Sequence, residues 1–480
     1  MSKVFFLGSL MSSPSGKYPK KLPGDAEAPL SYPNSGLHWR TGLPKLGFII
    51  MEYIADLHIH SKFSRATSRD MTLETLAAWA KVKGISLLGT GDFTHPEWLF
   101  LAKQSLESAG NGFFRLKNPP LQEDEYLKTI SVSPGDVHFI LSSEISFIYS
   151  KQGKVRKIHI LLFAPDFESV EIINRKLSAI GNLRSDGRPI LGMDARDFVK
   201  LVKENCPQCI IIPAHIWTPW FSLFGAKSGF DTIEECFEET TPAIFALETG
   251  LSSDPPMCRR LSRLDKYTLI SNSDAHSPSK IGREGNAFDT EFNYKALFQA
   301  IKSKDPEKFL YTVEFFPQEG KYHFDGHRKC GVAFSPTDAL RHKNICPKCG
   351  KELTKGVMHR IQELEDRTDE FDQQEGIPFK SLIPLNEIIA QALEKTPQCK
   401  SVWELYFRFI HEFGNEHHIL TKTPIPDLGR IAPENISLGI ERMRKRNVTI
   451  SPGHDGAYGK VSLFNPDGSE GNENCQFNLF

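Results

Sequence analysis

Short apolar runs alternate with amphipathic stretches from residue 51 to about residue 313. This alternation is typical of strands that alternate with helices around a parallel sheet. Seven apolar runs can be counted, which favours a (βα)7-like barrel over the eight-stranded form. From residue 356 onward the apolar positions recur at spacings of three and four, over 385–393 and 402–413, which predicts helices. The pattern therefore predicts an α/β chain in which a barrel is followed by a mostly helical C-terminal region.

Each of the seven apolar runs carries an imidazole or a carboxylate, and in six of them this group lies at the C-terminal end. The exception is the fourth run, in which the histidine lies near the start. The C-terminal ends of barrel strands meet at one rim, where barrel enzymes build their active sites. We therefore expect these side chains to converge. They are, in chain order, His58, His60, Asp92, Glu144, His159, His215, Glu248, Asp274 and His276.

The first and last runs carry the strongest signal. The sequence His58-Ile59-His60 places both imidazoles on one face of a strand, because side chains alternate with a period of two. The last run repeats this arrangement in Asp274-Ala275-His276. Mixed nitrogen and oxygen ligands suit Zn or Mn better than Ca²⁺, and a single ion does not need so many ligands. We predict two or three divalent ions (Zn, Mn or Mg) with the ligands His58, His60, Asp92, Glu144, His159, His215, Asp274 and His276.

These motifs resemble the PHP (polymerase and histidinol phosphatase) family. Its motifs match Asp56-Leu-His58-Ile-His60-Ser61, Ser273-Asp274-Ala-His276, and the middle positions Glu144, His159 and Pro213-Ala-His215. The resemblance implies a (βα)7 barrel that holds metal ions and hydrolyses phosphoesters. The chain departs from the family pattern at Asp92, which Phe93 follows in place of a histidine, and within 61–68, which lacks a further ligand. His95 and Glu248 stay open as ligands, core residues or groups that orient a ligand.

A second set of metal-ligand residues lies within 325–350. Cys346-Pro-Lys-Cys349-Gly350 is a CxxC knuckle, and His327-Arg-Lys-Cys330 supplies an HxxC partner upstream. This spacing is typical of a tetrahedral zinc site in a ribbon, and we predict one structural Zn held by His327, Cys330, Cys346 and Cys349. His323 and His342 remain competitors for the histidine position. A redox-active CxxC is the alternative, but no thioredoxin-like strand and helix surround this one.

Because the chain is close to neutral overall, a nucleic acid would have to bind at a local basic patch. The 480 residues carry 58 Lys and Arg against 59 Asp and Glu, so the chain has no overall positive field. Basic residues cluster around the knuckle, and we predict that Arg328, Lys329 and Lys348 bind a phosphate backbone. An ordinary solvated face is the alternative for this cluster. Tyr458 lies in a Gly-rich loop and is a candidate to stack on a base, whereas the aromatic residues of 403–413 fit a helical core better.

The whole layout resembles the endonuclease Q family. The barrel is followed by Asp325-Gly-His-Arg-Lys-Cys330, Val357-Met-His-Arg-Ile-Gln-Glu-Leu-Glu-Asp-Arg367 and Pro452-Gly-His-Asp-Gly-Ala-Tyr-Gly459. The resemblance implies a metal-dependent DNA repair endonuclease. It implies cleavage 5′ of a deaminated base (uracil, hypoxanthine or xanthine) or of an abasic site, leaving 3′-OH and 5′-phosphate. It also implies that Asp274, His276 and His215 are catalytic and that lesion-bearing DNA is the partner, while replication or repair proteins stay open as further partners.

We predict five segments: a disordered N-terminal extension (1–50), the PHP barrel (51–313), the zinc ribbon (314–355), a helical DNA- and lesion-binding region (356–465) and a frayed tail (466–480). The nine cysteines are scattered and odd in number, which favours a reducing compartment over a disulfide framework, and we expect the cytoplasm. Spanning a bilayer takes about 18 to 20 apolar residues, and no run approaches that length, so we expect no membrane contact.

Two other functions compete with the repair endonuclease. The first is a PHP-type small-molecule phosphoesterase similar to histidinol phosphatase. The ribbon and the helical region argue against it, because a small phosphomonoester needs no such extension. The second is a non-catalytic module, in which an eroded barrel only positions the ribbon on nucleic acid. The intact HxH and DxH motifs argue against that function.

Overall fold

A computed structural model of the chain describes residues 51–118, 125–133, 135–367, 376–431 and 433–464. The predicted N-terminal extension (1–50) and the predicted tail (466–480) lie outside the described residues. The strands are β1 (Met51–Asp56), β2 (Leu87–Gly89), β3 (Leu106–Ser108), β4 (Phe114–Leu116), β5 (His138–Lys151), β6 (Lys154–Ala164), β7 (Ile190–Leu191), β8 (Ile210–Pro213), β9 (Ala246–Glu248), β10 (Thr268–Ile270), β11 (Gly285–Thr290), β12 (Phe309–Glu314), β13 (Asp325–His327), β14 (Val332–Phe334), β15 (Phe379–Ser381), β16 (Thr449–Ser451) and β17 (Lys460–Ser462).

Fourteen α-helices are described, and several of them begin at a residue whose side chain caps the first turn. They are α1 (Leu73–Lys83), α2 (Pro96–Ser105), α3 (Phe167–Ser178), α4 (Ala195–Asn205), α5 (Ile233–Phe237), α6 (Pro255–Arg259), α7 (Tyr294–Ser303), α8 (Pro336–Arg341), α9 (Val357–Leu364), α10 (Leu385–Ala392), α11 (Lys400–Phe413), α12 (Glu416–Thr421), α13 (Ile425–Leu428) and α14 (Glu434–Arg444). The side chains of Thr72 and Asp166 accept hydrogen bonds from the first turns of α1 and α3. Gly84 ends α1 with φ +82°, a conformation that glycine adopts at little cost.

All seven predicted strands are present, and they follow one another in space. β1 pairs in parallel with β2, β2 with β5, and β9 with β10. The end of the last run returns to the first, where Ile59 and Ala275 form a parallel bridge and the amide of His60 donates to the carbonyl of Ala275 at 3.0 Å. Strand ends from the two extremes of the predicted barrel therefore meet.

The fourth strand, β6, runs opposite to the others. It pairs antiparallel with β5 and with β8. A two-residue turn, Gln152-Gly153 with φ +53° and +71°, joins β5 to β6 directly, so no helix can return the chain for a parallel pairing. The prediction of a fully parallel sheet is wrong at this strand. The reversal explains why His159 lies in the first half of its run, because that half of β6 is on the rim where the other strands end.

A single hydrophobic cluster receives residues from all seven strands. The contributors include Leu57 after β1, Leu87, Ile140, Leu161, Ile212, Ala246 and Ile270, each at most 1% exposed. Burial of such side chains stabilises each strand by about 1.5–3 kcal/mol per residue relative to exposure. This shared cluster fixes the strand ends that carry the imidazoles and carboxylates. β11, β12 and β15 extend the sheet beyond β1.

The C-terminal region is helical, as the spacing of its apolar residues predicts. α10 and α11 cover the two predicted helices, and α14 packs near α10. β15 pairs in parallel with β12, which joins this region to the main sheet. A buried ion pair strengthens the junction, because Lys83 at the end of α1 contacts Glu416 and the hydroxyl of Tyr406 also donates to that carboxylate. Among the described helices, the longest of which has 14 residues, none has the length and hydrophobicity of a membrane span.

Candidate functional site

Four side chains from different strand ends converge on one point. The Nε2 atom of His60 lies 3.2 Å from Oε2 of Glu144 and 3.0 Å from Oδ1 of Asp274. The Nε2 atom of His58 lies 3.7 Å from each of the same two oxygens. One ligand atom from each of the four residues falls within 4.8 Å of the others, which is close enough to hold a single ion. We call these four residues the first metal group.

A second group adjoins the first and shares Glu144. The Oε1 atom of Glu144 lies 2.5 Å from Nδ1 of His159 and 2.9 Å from Nε2 of His215. These two imidazole nitrogens are 3.2 Å apart. The reversed strand β6 makes this possible, because it places His159 opposite Ser146, whose hydroxyl lies 2.7 Å from the other ring nitrogen. Two neighbouring positions thus share one carboxylate, with one of its oxygens directed to each.

The residues of the first group fit a divalent cation. The Nε2 atoms of His58 and His60 and the Oδ1 atom of Asp274 are buried and have no hydrogen-bond partner. Buried polar atoms are normally paired, so three orphaned atoms that face one point indicate a ligand. Imidazole nitrogen and carboxylate oxygen are the donors that Zn and Mn take in proteins. The two groups together therefore form a divalent-metal site.

The electrostatics of the cluster favour positive charge. Burial acts to lower the pKa of His58 and His60, but the neighbouring carboxylates overcome it and raise the pKa of both imidazoles well above the usual range. Burial acts to raise the pKa of Asp274, yet the same imidazoles hold it well below its ordinary value. Burial lowers the pKa of His159 to about 4, so this imidazole is neutral at pH 7. Protons and divalent cations compete for such nitrogens.

Two buried carboxylates orient the histidines of the HxH motif. Asp92 contacts Nδ1 of His60 at 3.0 Å and accepts a hydrogen bond of 2.6 Å from the hydroxyl of Ser61. Glu248 contacts Nδ1 of His58 at 3.0 Å. The side-chain amide of Asn272 donates a hydrogen bond of 2.8 Å to the Glu248 carboxylate. A carboxylate on the far nitrogen fixes the ring and its tautomer. Asp92, predicted as a metal ligand, lies in neither metal group, and its geometry matches the orienting position.

The structure places two further candidates beside the groups. The Nδ1 atom of His276 donates to the carbonyl of Asp274 at 2.8 Å, and its ring lies 4.6 Å from that of His60, but it belongs to neither group. The side chain of His95 caps the start of α2 and stacks on Phe63 with the ring centroids 4.4 Å apart. His276 therefore remains available to a third ion or to the substrate, whereas His95 has a structural position.

Three residues in or beside the two metal groups have a strained backbone. The φ angles of Asp92, His215 and Asp274 are +49°, +29° and +46°. Non-glycine residues adopt this region at a cost of about 1–3 kcal/mol each, and such strain concentrates at functional sites. The surrounding sheet holds these three side chains in position against that cost.

The cluster opens to solvent on one side. The side chains of His58, His60 and Glu144 are at most 1% exposed, whereas Asp274 is 24% and His276 is 32% exposed. We call this opening the mouth. Arg188, with a side chain 25% exposed, also lies there, and its Nη1 atom donates to Oε2 of Glu144 at 3.1 Å.

Solved structures of similar overall fold include a lesion-specific endonuclease. The chain superimposes on PfuEndoQ from Pyrococcus furiosus with a TM-score of 0.74 and 32% sequence identity, over 86% of this chain and 96% of that protein. It matches with a TM-score of 0.73 and 31% identity an endonuclease Q solved with a 27-mer duplex that bears an abasic lesion at the active site. The chain belongs to the endonuclease Q family. Endonuclease Q proteins are metal-dependent DNA endonucleases that act in DNA repair, and this chain is a hydrolase of that class.

Two curated proteins extend the endonuclease Q comparison. YqxK of Bacillus subtilis is 29% identical over 85% of this chain and 98% of its own length. MJ0043 of Methanocaldococcus jannaschii is 35% identical over 52% of this chain, and the match covers only 31% of that longer protein. Residues 384–447 match the family model of the MJ0043 C-terminal domain, which corresponds to α10 through α14.

In this endonuclease Q chain the four residues of the predicted zinc site lie close together. β13 and β14 form an antiparallel pair, and one ligand atom each of His327, Cys330, Cys346 and Cys349 falls within 4.8 Å of the others. Neither competing histidine, His323 or His342, belongs to this group, and His342 instead stacks on Phe334. Nitrogen and thiol donors in this number fit a tetrahedral zinc ion.

The Gly-rich loop after β16 packs against this ribbon. The amide of Phe324 donates to the carbonyl of Gly453 at 2.9 Å, and the amide of Arg328 donates to the carboxylate of Asp455 at 2.7 Å. A Cβ at Gly459 would lie 2.1 Å from a backbone oxygen of Gln318, so only glycine allows this approach. The loop and the ribbon therefore form one surface.

The predicted DNA-binding side chains are exposed on that surface. Tyr458 is 74% exposed, and the ammonium group of Lys321 lies 4.6 Å from its ring centroid. Arg328, Lys329 and Lys348 are all exposed, and the last of them also donates to a backbone carbonyl of the ribbon. In contrast, the aromatic residues of α11 are packed in the core, where Tyr406 and Phe409 have no exposed surface.

Sequence reasoning missed Arg188 and the serines that bind Asp92. The strand-end argument could not find Arg188, because it lies in the connection between α3 and β7. Ser61 carried a signal, since it directly follows the HxH motif and its backbone amide also donates to Asp92 at 2.7 Å. Small hydroxyl residues next to metal-ligand motifs are candidates to bind an orienting carboxylate.

Proposed function

We propose that this chain cuts DNA on the 5′ side of a deaminated base or an abasic site and leaves 3′-OH and 5′-phosphate ends. The observation that supports this most directly is the pair of metal groups that share Glu144 at a solvent-facing mouth. Two adjacent divalent ions suit an in-line displacement at phosphorus. The endonuclease Q complex with an abasic lesion at its active site supports the choice of substrate.

The proposed centre stands on a (βα)7-like barrel. We assign the first ion to His58, His60, Glu144 and Asp274, and the second ion to Glu144, His159 and His215. Asp92 and Glu248 orient the two imidazoles of the HxH motif. When bound, divalent ions such as Zn, Mn or Mg stabilise negative charge on phosphate oxygens and lower the pKa of a water molecule toward neutrality.

The chain's own groups then act on the substrate at the mouth. A water oxygen forms a bond to phosphorus while the bond from phosphorus to the 3′ oxygen breaks, and the 3′ oxygen takes up a proton from solvent. Because Nδ1 of His276 donates to a backbone carbonyl, its Nε2 atom carries the lone pair that accepts the proton of the attacking water. Asp274 and His215, which have strained φ angles, hold the proposed metal site in the position where the phosphate binds.

The DNA path that we propose leads from the mouth to the ribbon. The hydroxyl of Thr218 lies 3.2 Å from Nδ1 of His215 and donates to the carbonyl of Trp220. Trp220 is 41% exposed and contacts the ring of Tyr322, which follows Lys321 in the chain. Exposed aromatic rings beside basic groups suit unpaired bases and a phosphate backbone. A lesion weakens base pairing, which lowers the cost of turning the nucleotide out of the duplex.

The ribbon and the helical region complete the proposed enzyme. One structural Zn on His327, Cys330, Cys346 and Cys349 would hold the ribbon, which presents Arg328, Lys329 and Lys348 to phosphates. We keep the division into a barrel (51–313), a ribbon (314–355) and a helical DNA- and lesion-binding region (356–465) as part of the proposal.

The activity is tested on end-labelled duplexes that carry one uracil, one hypoxanthine, one xanthine, one abasic site or no lesion. Purified protein is incubated with Mn²⁺ or Mg²⁺, and the products are resolved on a denaturing gel. We expect a metal-dependent nick directly 5′ of the lesion. The 3′ end should serve as a primer for a polymerase, and phosphatase treatment should release the 5′-phosphate.

The control substrates separate this proposal from its competitor. Hydrolysis of a small phosphomonoester without cleavage of any duplex would favour a small-molecule phosphoesterase. Equal cleavage of all duplexes would contradict lesion specificity while retaining the endonuclease. A nick 3′ of the lesion would contradict the proposed position of the scissile bond.

A further inference from the structure

Arg188 lies at the mouth, on the segment that connects α3 to β7. Its guanidinium group donates to the same oxygen of Glu144 that lies 3.2 Å from Nε2 of His60. Among the residues that the structure describes, Glu144 is its only side-chain hydrogen-bond partner. An arginine offers five N–H donors in a plane, so most of this group is free to bind something else.

The segment is held tightly against the site. The amide of Gly187 donates to the carbonyl of Phe63 at 3.0 Å, and the carbonyl of Pro189 accepts a bond of 3.0 Å from the amide of Ser146. A Cβ at Gly187 would lie 2.3 Å from a carboxylate oxygen of Asp92, so only glycine allows the backbone to come this close. The backbone is therefore held in place on both sides of Arg188. This position of the backbone directs the arginine side chain toward Glu144.

Arg188 forms an ion pair with Glu144, but this one contact does not use all the donors of its guanidinium group. Its side chain is 25% exposed and lies at the mouth, near the carboxylates of Glu144, Asp274 and Asp186. Asp186 is already engaged, because it accepts a hydrogen bond from the backbone amide of Arg188 and forms an ion pair with the side chain of Arg65. Divalent ions held by the two groups would neutralise charge on Glu144, which would leave donors of the Arg188 guanidinium available to an entering anion.

We propose that Arg188 binds a non-bridging oxygen of the scissile phosphate and stabilises the charge that develops on it during cleavage. This inference rests on the proposed function, because it names a substrate-binding residue of that same centre. Arginine suits the task, since its planar donors match two phosphate oxygens and its charge does not depend on pH. Donors placed at the oxygen where charge develops contribute strongly to catalysis.

The test compares Arg188→Gln and Arg188→Lys with Arg184→Gln in the full-length protein. Arg184 lies on the same segment and pairs with Glu97 at 3.4 Å, but its side chain is 68% exposed and does not contact the cluster, so it is the matched control. Three quantities are measured: the single-turnover cleavage rate of an abasic duplex at saturating Mn²⁺, the affinity for Mn²⁺, and the affinity of the Mn²⁺-loaded protein for inorganic phosphate by calorimetry.

We expect Arg188→Gln to lower the cleavage rate by roughly 100-fold, the loss typical of one oxyanion donor. Phosphate affinity should fall by roughly tenfold, while Mn²⁺ affinity should stay within about threefold. Arg188→Lys keeps the charge but not the planar fork, so about a tenfold loss of rate is expected. Arg184→Gln should resemble the parent in all three measurements.

Three results would overturn the inference. The first is an unchanged rate and phosphate affinity in Arg188→Gln, and the second is a weakened Mn²⁺ affinity together with a parental rate at saturating Mn²⁺, because the arginine would then only position Glu144. If Arg188→Gln does not fold, an unchanged rate and phosphate affinity in Arg188→Lys contradict the inference. If the parent cuts no lesion duplex, the proposed function fails, whereas the phosphate affinities still decide whether Arg188 binds phosphate.

Discussion

The chain contains two sets of metal-ligand residues that are built in opposite ways. The two metal groups of the proposed barrel, which we call the barrel cluster, bring together side chains from the first predicted strand to the last, such as His58 and Asp274, and every member except Asp274 is buried. The ribbon takes all four ligands from one short segment, and Cys349 among them is exposed. The first set depends on the whole fold, whereas the second depends on local spacing.

The two sets also differ in what supports them. The barrel cluster stands on strands whose apolar residues form large buried clusters. The hydrophobic cluster of the ribbon consists of Val332, Ala339, Cys346 and Leu353, with two partly buried neighbours. A core of that size cannot offset the entropy of ordering its chain, so a structural metal normally supplies the missing free energy.

The difference in ligand completeness indicates different roles. The four donors of the ribbon would fill the tetrahedral shell of a zinc ion and would leave no position for a substrate. The barrel cluster keeps a mouth lined by Asp274, His276 and Arg188. Metal in the ribbon should therefore act on stability and DNA affinity, and metal in the barrel on the rate of cleavage.

The largest expected effect is a loss of cleavage rate, produced by a substitution that changes the barrel cluster alone. Asp274→Ala removes a ligand of the first group, and we expect the single-turnover cleavage rate to fall by roughly 1,000-fold, because metal stabilisation of the phosphate charge is worth several kcal/mol. DNA affinity and the melting temperature should change little. Asp70→Ala is the matched control, since Asp70 is exposed and hydrogen-bonds only locally to Ser68. Cleavage that survives Asp274→Ala would contradict the metal mechanism.

The next effect is a loss of zinc, produced by a substitution that changes the ribbon alone. Cys346→Ser should remove one zinc ion per chain, measured by elemental analysis, and expose 325–354 to limited proteolysis, because zinc binding supplies the free energy that folds such small sites. Cys399→Ser is the control, since that cysteine lies in neither set. Cleavage by Cys346→Ser at saturating DNA should stay within about tenfold of the parent. Full zinc content in this variant would exclude the predicted ribbon site.

The two sets were also unequally visible in the sequence. The four residues of the predicted zinc site follow from spacing alone, and the structure brings together His327 and the three cysteines as predicted. The HxH motif was visible because side chains alternate along a strand, so His58 and His60 face the same point. Local periodicity therefore predicts which residues share a face.

The features that the sequence did not predict depend on contacts between segments that are distant in the chain. The reversal of β6 had a signal, the Gln152-Gly153 turn, but the regular alternation of runs favoured a parallel strand instead. Asp92 sits at a strand end like the ligands, and only the three-dimensional distances show that it contacts the far nitrogen of His60. Arg188 had no signal, because its position depends on the contact of Gly187 with Asp92.

A smaller effect would sharpen the distinction between ligands and orienting groups. Asp92→Asn keeps the shape but weakens the contact with Nδ1 of His60, and we expect Mn²⁺ affinity to fall by roughly 10- to 100-fold, the usual cost of losing such a partner. Raising the Mn²⁺ concentration should restore most of the cleavage rate. In Asp274→Asn, where a ligand is lost, the same addition should restore little. Equal behaviour of the two variants would place Asp92 among the ligands.

The smallest expected effect concerns the surface that joins the ribbon to the Gly-rich loop. Tyr458→Ala should weaken binding of the abasic duplex by roughly fivefold, about 1 kcal/mol, the lower end for a base-stacking contact, because the 74% exposed ring already contacts Lys321 on one side. Tyr458→Phe keeps the ring and should bind like the parent. The cleavage rate at saturating DNA should not change in either variant, since Tyr458 lies in neither metal group. If Tyr458→Phe binds as weakly as Tyr458→Ala, the hydroxyl and not stacking accounts for the contact; if both bind normally, the DNA path does not include this residue.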